Sequence, residues 1–106
     1  MKYGLPEATV TKICSVFAHF PEVEKAVIFG SRAKGNYRTG SDIDLTLYGA
    51  QLTNSLCATI SSELEELLLP YTIDLSVFKE INHDKLREHI ERVGVVFYQR
   101  DDRATR

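Results

Sequence analysis

Residues 42–48, Asp42-Ile43-Asp44-Leu45-Thr46-Leu47-Tyr48, alternate polar and apolar without a break. Only an extended chain, whose side chains point to opposite faces at each step, gathers Ile43, Leu45 and Leu47 on one side, so this stretch is a half-buried strand. A second run, Thr72-Ile73-Asp74-Leu75-Ser76-Val77-Phe78, repeats the pattern, with Ile73, Leu75 and Val77 inward and Thr72, Asp74 and Ser76 outward. Such strands need a sheet to join and helices to cover the apolar face.

The rest of the chain supplies both. Across 6–20, Val10, Ile13, Cys14, Phe17 and Phe20 recur at three- and four-residue spacing, which predicts a helix with Pro6 in its first turn and Pro21 closing it. Ala26-Val27-Ile28-Phe29 is an unbroken apolar run ending at Gly30, as a strand covered on both faces would be. One helical turn over 31–34 leads into Gly35-Asn36-Tyr37-Arg38-Thr39-Gly40-Ser41, an exposed loop. Thr53 or Asn54 caps a helix running to Pro70, with the stripe Leu52, Leu56, Ile60, Leu64, Leu67 and Leu68. Asn82 caps a last helix carrying Leu86, Ile90 and Val93, Gly94 ends it, and 95–98 form a final strand.

This order predicts an α+β domain over 1–99, with a mixed sheet of about four strands and helices packed on one side, then a polar, frayed tail over 100–106. The sheet is mixed because the dozen or so residues between the first two strands are marginal for a parallel crossover.

Composition narrows the function. With 13 basic and 15 acidic residues the net charge is −2, so no broad basic surface for duplex nucleic acid is expected and any phosphate site must be local. No apolar run approaches a membrane span or a signal segment, which points to the cytoplasm. Cys14 and Cys57 fall in helical apolar patterns and read as small buried hydrophobes. His19, His83 and His89 lack zinc-ligand spacing, and neither a Walker A lysine motif nor a Rossmann glycine fingerprint occurs.

Chemistry concentrates elsewhere. Alternation places Asp42 and Asp44 on one polar face, and Asp74 holds the same register on its own strand. If the two strands are neighbours, two carboxylates about 5 Å apart repel by roughly 3 kcal/mol at an effective dielectric of about 20. Hard oxygen-ligated cations, Mg²⁺ above all, relieve such a cluster. Just upstream, Gly30-Ser31 opens a helical turn, where free amides suit an anion, and Arg32, Lys34 and Arg38 follow within seven positions. Tyr37 and Tyr48 lie near enough in sequence to stack on a base.

Gly30-Ser31-Arg32-Ala33-Lys34-Gly35 followed by Ser41-Asp42-Ile43-Asp44-Leu45 resembles the signature of the DNA polymerase β nucleotidyltransferase superfamily, most closely its minimal members. Its six defining positions should coincide by chance in roughly one in 10⁵ chains of this length. The resemblance implies a nucleotidyltransferase fold in which Gly30 and Ser31 hold the β- and γ-phosphates of a nucleoside triphosphate. Asp42, Asp44 and Asp74 would be the catalytic, metal-ligating carboxylates of a two-ion Mg²⁺ site. Arg32, Lys34 or Arg38 would neutralise departing charge, and Ser41 would orient the aspartate-bearing strand.

Minimal members are typically paired with a small helical protein of the HEPN type as toxin and antitoxin, the nucleotidyltransferase adding AMP to a tyrosine of its partner. Nothing after Tyr98 forms a second, acceptor-gripping domain, so a partner is expected to supply it. The expectation is therefore Mg²⁺-dependent transfer of AMP from ATP to a hydroxyl of that partner, with no membrane and no nucleic acid, and with self-association left open. The alternatives are a nucleotide-binding antitoxin that masks its partner without turnover, and nucleotidyl transfer to a small molecule or an RNA end.

Overall fold

The computed structural model describes residues 2–101. The elements run α1 (Glu7–Ala18), β1 (Lys25–Phe29), α2 (Ser31–Lys34), β2 (Ile43–Tyr48), α3 (Asn54–Glu65), β3 (Ile73–Val77), a 3₁₀ turn (Phe78–Glu80), α4 (Asp84–Val93) and β4 (Val95–Gln99). The strands form one sheet in the order β3-β2-β1-β4. β1 pairs antiparallel with β2 and β4, while β2 and β3 are parallel, joined through the α3 crossover. The sheet is mixed, as the short β1–β2 link requires.

Strand alternation sorts the sheet into two faces. Ala26 and Ile28 of β1, with Ile43, Leu45 and Leu47 of β2, pack against Ile13, Val16 and Phe17 of α1 and Cys57, Ile60 and Leu64 of α3. This is the main core, where each fully buried aliphatic side chain contributes about 1.5–3 kcal/mol. Val27 points the other way and packs with Phe78 and Ile90. The one-sided packing expected from the sequence thus describes α1 and α3, whereas α4 covers part of the opposite face. β1 lies inside the sheet and between both clusters, which is why its sequence is apolar without alternation.

That second face is anchored at one end only. Tyr48 stacks on Phe78 with ring centroids 4.6 Å apart, Lys25 Nζ sits 4.5 Å above Tyr48, and the Arg87 guanidinium lies 4.4 Å from Phe78. Arg87 Nη1 also donates to the carbonyls of Phe78 and Ile81. Toward the start of β2 and β3 the same face is open.

Local differences from the sequence reading have physical causes. α1 stops at Ala18 because Phe20 precedes Pro21, a position that disfavours helix. Thr53 caps α3, its hydroxyl accepting from Leu56 N at 3.0 Å. α3 ends at Glu65, so Leu68 is not on its stripe; it takes φ +54° and is 88% exposed, and Leu69 packs against the core instead. α4 is capped by His83, whose Nδ1 accepts from Leu86 N at 3.1 Å, rather than by Asn82. Leu86 is exposed, leaving Ile90 as the buried anchor of α4. Arg100 is tied down, its amide donating to Glu24 O at 3.0 Å and its guanidinium to Pro21 O. The expected tail beyond Asp101 lies outside the described residues.

Candidate active site

The open end of the second face carries the acidic residues. In the antiparallel pairing Asp44 stands opposite Phe29, and in the parallel pairing it stands beside Asp74. The neighbouring strands needed for a carboxylate cluster are therefore present. Asp42 comes two residues before Asp44 and shares its face. Burial first, then the charges of Asp74 and Asp42, push the Asp44 carboxyl above its ordinary value. The repulsion inferred from the sequence is thus felt at the central residue of the three.

Gly30 follows Phe29 and so begins the turn directly beside Asp44. Its backbone, at φ +77° and ψ −155°, is one that only glycine adopts without strain. A Cβ there would also collide with Asp44 Oδ2. Ser31 opens α2, whose carbonyl accepts from the amides of Gly35 and Asn36. The amides at the start of α2 have no partner earlier in the helix, as at any helix start.

Ser41 closes a turn in which its hydroxyl accepts from Arg38 N at 2.8 Å and its amide donates to Arg38 O at 2.9 Å. It therefore orients the approach to Asp42. Arg32 points away from solvent: it is 4% exposed, and its guanidinium donates to the carbonyls of Ser41 and Tyr3. Lys34, at the end of α2, and Arg38, in the loop that follows, are exposed. Tyr37 leans over Arg32, and Tyr48 lies about 13 Å up β2 from Asp44, at roughly 3.3 Å per residue, packed on Phe78. Nearness in sequence therefore does not bring Tyr48 to the site.

Among the described residues, no three Asp, Glu, His or Cys side chains are arranged to hold a metal as they stand. Mg²⁺ is usually bound through one or two carboxylates with substrate phosphates and water completing the shell, rather than by an all-protein cage. The donor set fits: hard oxygens, mutually repelling, on an open face. Two surface cavities, about 290 and 360 Å³, lie between α3 and the β3 edge and are lined by none of these aspartates. Sequence reasoning missed Tyr3 and Tyr71, which flank Arg32 from distant segments with no local motif.

The family model for polymerase beta, nucleotidyltransferase matches residues 11–103. Comparison with curated proteins yields no match. Among solved structures, a chain of a toxin-antitoxin with AMP-PNP is 20% identical with a TM-score of 0.69, covering 95% of this chain and 79% of that one. A chain from the complex of tri-AMPylated Shewanella oneidensis HEPN toxin with MNT antitoxin is 18% identical with a TM-score of 0.66, over 93% of this chain and 76% of that one. A protein from Sulfolobus solfataricus, described as a nucleotidyltransferase, aligns at 18% identity and TM-score 0.53, over 93% and 94%.

Proposed function

The chain belongs to the polymerase beta nucleotidyltransferase family, and from that membership we propose that it transfers AMP from ATP to a hydroxyl of a HEPN-type partner, as the antitoxin of a two-protein pair. The observation that carries this reading is the register that sets Asp74 beside Asp44, with Asp42 on the same face and the Gly30 turn against Asp44. The AMP-PNP complex and the tri-AMPylated toxin among its structural relatives support the choice of donor and acceptor. A cytoplasmic setting, where ATP is plentiful, suits the donor.

In this reading Asp42, Asp44 and Asp74 hold Mg²⁺, which when bound neutralises phosphate charge and lowers the pKa of a hydroxyl beside it. Gly30 presents no side chain, so the triphosphate can approach the backbone, and Ser31 adds a hydroxyl donor. Lys34 and Arg38, exposed at the end of α2 and in the loop that follows, meet the charge that grows on the departing phosphates. Asp74, exposed at the edge strand, faces the side from which an acceptor can arrive. The acceptor oxygen bonds to the α-phosphorus as the bridge to the β-phosphate breaks. Pyrophosphate leaves, and the hydroxyl proton passes to a carboxylate or to solvent.

The test is parallel incubation with the HEPN-type partner, Mg²⁺, and ATP labelled at either the α- or the γ-phosphate. Label from the α position on the partner is the expected result. Label from the γ position would make the protein a kinase and overturn the proposal. Nucleotide binding with no transfer would favour a masking antitoxin, and α label on a small molecule or RNA end alone would move the acceptor.

A further inference from the structure

Arg32 belongs to the signature but not to the open surface. A guanidinium buried to 4% exposure is costly unless its donors are met. Here Nε and Nη2 fork onto Ser41 O at 3.1 and 2.9 Å, and Nη1 donates to Tyr3 O at 2.9 Å. The rings of Tyr37 and Tyr71 each lie 5.3 Å from its central carbon, close enough for cation–π attraction.

The N-terminal contact is specific. Tyr3 and Gly4, at φ +56° and +72°, form a tight turn closed by two hydrogen bonds between Lys2 and Leu5. Tyr3 is held in that unfavourable conformation from outside: its hydroxyl donates to Val96 O and its ring packs on Phe97. A Cβ on Gly4 would strike the Tyr37 ring. Arg32 is thus gripped by three segments: the Tyr3 turn, the loop that carries Tyr37 and Ser41, and Tyr71 before β3.

One end of that grip is a single peptide from the acidic cluster. Ser41 O belongs to the peptide unit that enters Asp42, and the β2–β3 ladder begins only at the next residue, where Ile43 N donates to Thr72 O at 2.9 Å. The chain before Ser41 is exposed from Lys34 to Gly40. Asp42 is therefore fixed on one side by the sheet and on the other by Arg32, which follows the Gly30–Ser31 turn directly in α2.

We propose that Arg32 is a positioning residue, which sets Asp42 against the Gly30–Ser31 turn through Ser41 O and uses the Tyr3–Gly4 turn as a brace, rather than a ligand of the triphosphate. What Asp42 does once positioned rests on the functional reading above; the brace itself does not. Lysine keeps the charge at position 32 but cannot donate to two carbonyls in a planar fork.

The test compares Arg32→Lys, Arg32→Gln and Tyr71→Leu, the last removing one ring while leaving the guanidinium in place. Turnover and amide hydrogen exchange over 36–44 are measured in the full chain. Arg32→Lys and Arg32→Gln should lose kcat alike, by about 10- to 100-fold, because a displacement of about 1 Å costs that much. KM for ATP should stay within about threefold, since no contact with the triphosphate is removed. The amides of Ser41 and Ile43, bonded to Arg38 O and Thr72 O, should exchange faster in each variant. A loss confined to ATP KM and rescued by lysine would overturn the proposal, as would wild-type turnover and exchange in Arg32→Lys. If the wild-type chain transfers nothing, the functional reading fails separately, and the exchange rates alone decide on Arg32. If Arg32→Gln does not fold, Arg32→Lys and Tyr71→Leu decide.

Discussion

A methyl group at position 30 is the smallest change that tests how the site is assembled. Gly30→Ala would force alanine into φ +77° and drive Cβ into Asp44 Oδ2, at a cost of about 1–3 kcal/mol for the backbone alone. Urea unfolding should show that loss, and α-label transfer should fall by at least about 100-fold, the scale on which a lost electrostatic stabiliser is felt. Asp44→Asn should behave in the opposite way for stability. Burial and the neighbouring Asp74 and Asp42 raise the Asp44 carboxyl, so the folded state holds its proton at a pH where the unfolded chain has lost it. With more protons bound in the native state, stability falls as pH rises from the ordinary Asp value through the raised one. The metal-free Asn variant should therefore melt higher than wild type at neutral pH. The gap should close in acid below the ordinary Asp pKa, and transfer should be abolished. A lower neutral Tm for Asp44→Asn would mean that the carboxylate stabilises the fold and that the repulsion argument is wrong.

At the scale of elements, what could be read from the sequence is what local periodicity controls. The alternation of 42–48 and 72–78 placed Asp42, Asp44 and Asp74 on the polar face, and the apolar run at 26–29 identified the doubly covered strand. Arg32 was legible only as a cation near a phosphate-like turn, because its partner Tyr3 lies 29 residues away. Leu68 shows the complementary failure. Its spacing continues the α3 stripe, yet the helix has already ended and the side chain faces solvent at φ +54°. Leu64 and Leu68, one helical turn apart in sequence, should then respond in opposite senses. Leu64→Ala empties a packed position and should cost about 2–5 kcal/mol. Leu68→Gly removes a left-handed strain worth about 1–2 kcal/mol, partly offset by the freer unfolded chain, and should stabilise by about 0.5–1 kcal/mol. Urea titrations with unchanged m-values would check both; destabilisation by Leu68→Gly would show that the leucine packs where the structure leaves it exposed.

For the whole molecule, the sheet divides labour by face and by end. α1 and α3 pack on one face, while the other is closed at its far end by the Lys25–Tyr48–Phe78–Arg87 stack and left open where Asp42, Asp44 and Asp74 stand. A ligand at that open end should stabilise the fold by mass action, by about 2.7 kcal/mol at one hundred times its dissociation constant. Mg²⁺ with a non-hydrolysable ATP analogue should accordingly raise the Tm, and EDTA should remove most of the rise because the acidic cluster repels triphosphate without the metal. Exchange protection should gather over 30–44 and 72–76 and leave 84–93 unchanged, since α4 packs at the opposite end of the same face. The aspartates and the glycine turn come from three strands and meet only because β3 lies parallel beside β2. Asp74→Asn should therefore reduce the metal-dependent rise even though it lies 30 residues from Asp44 in sequence. Protection spread evenly over the chain, or a Tm rise indifferent to both EDTA and Asp74→Asn, would place the nucleotide somewhere other than the open end of the sheet.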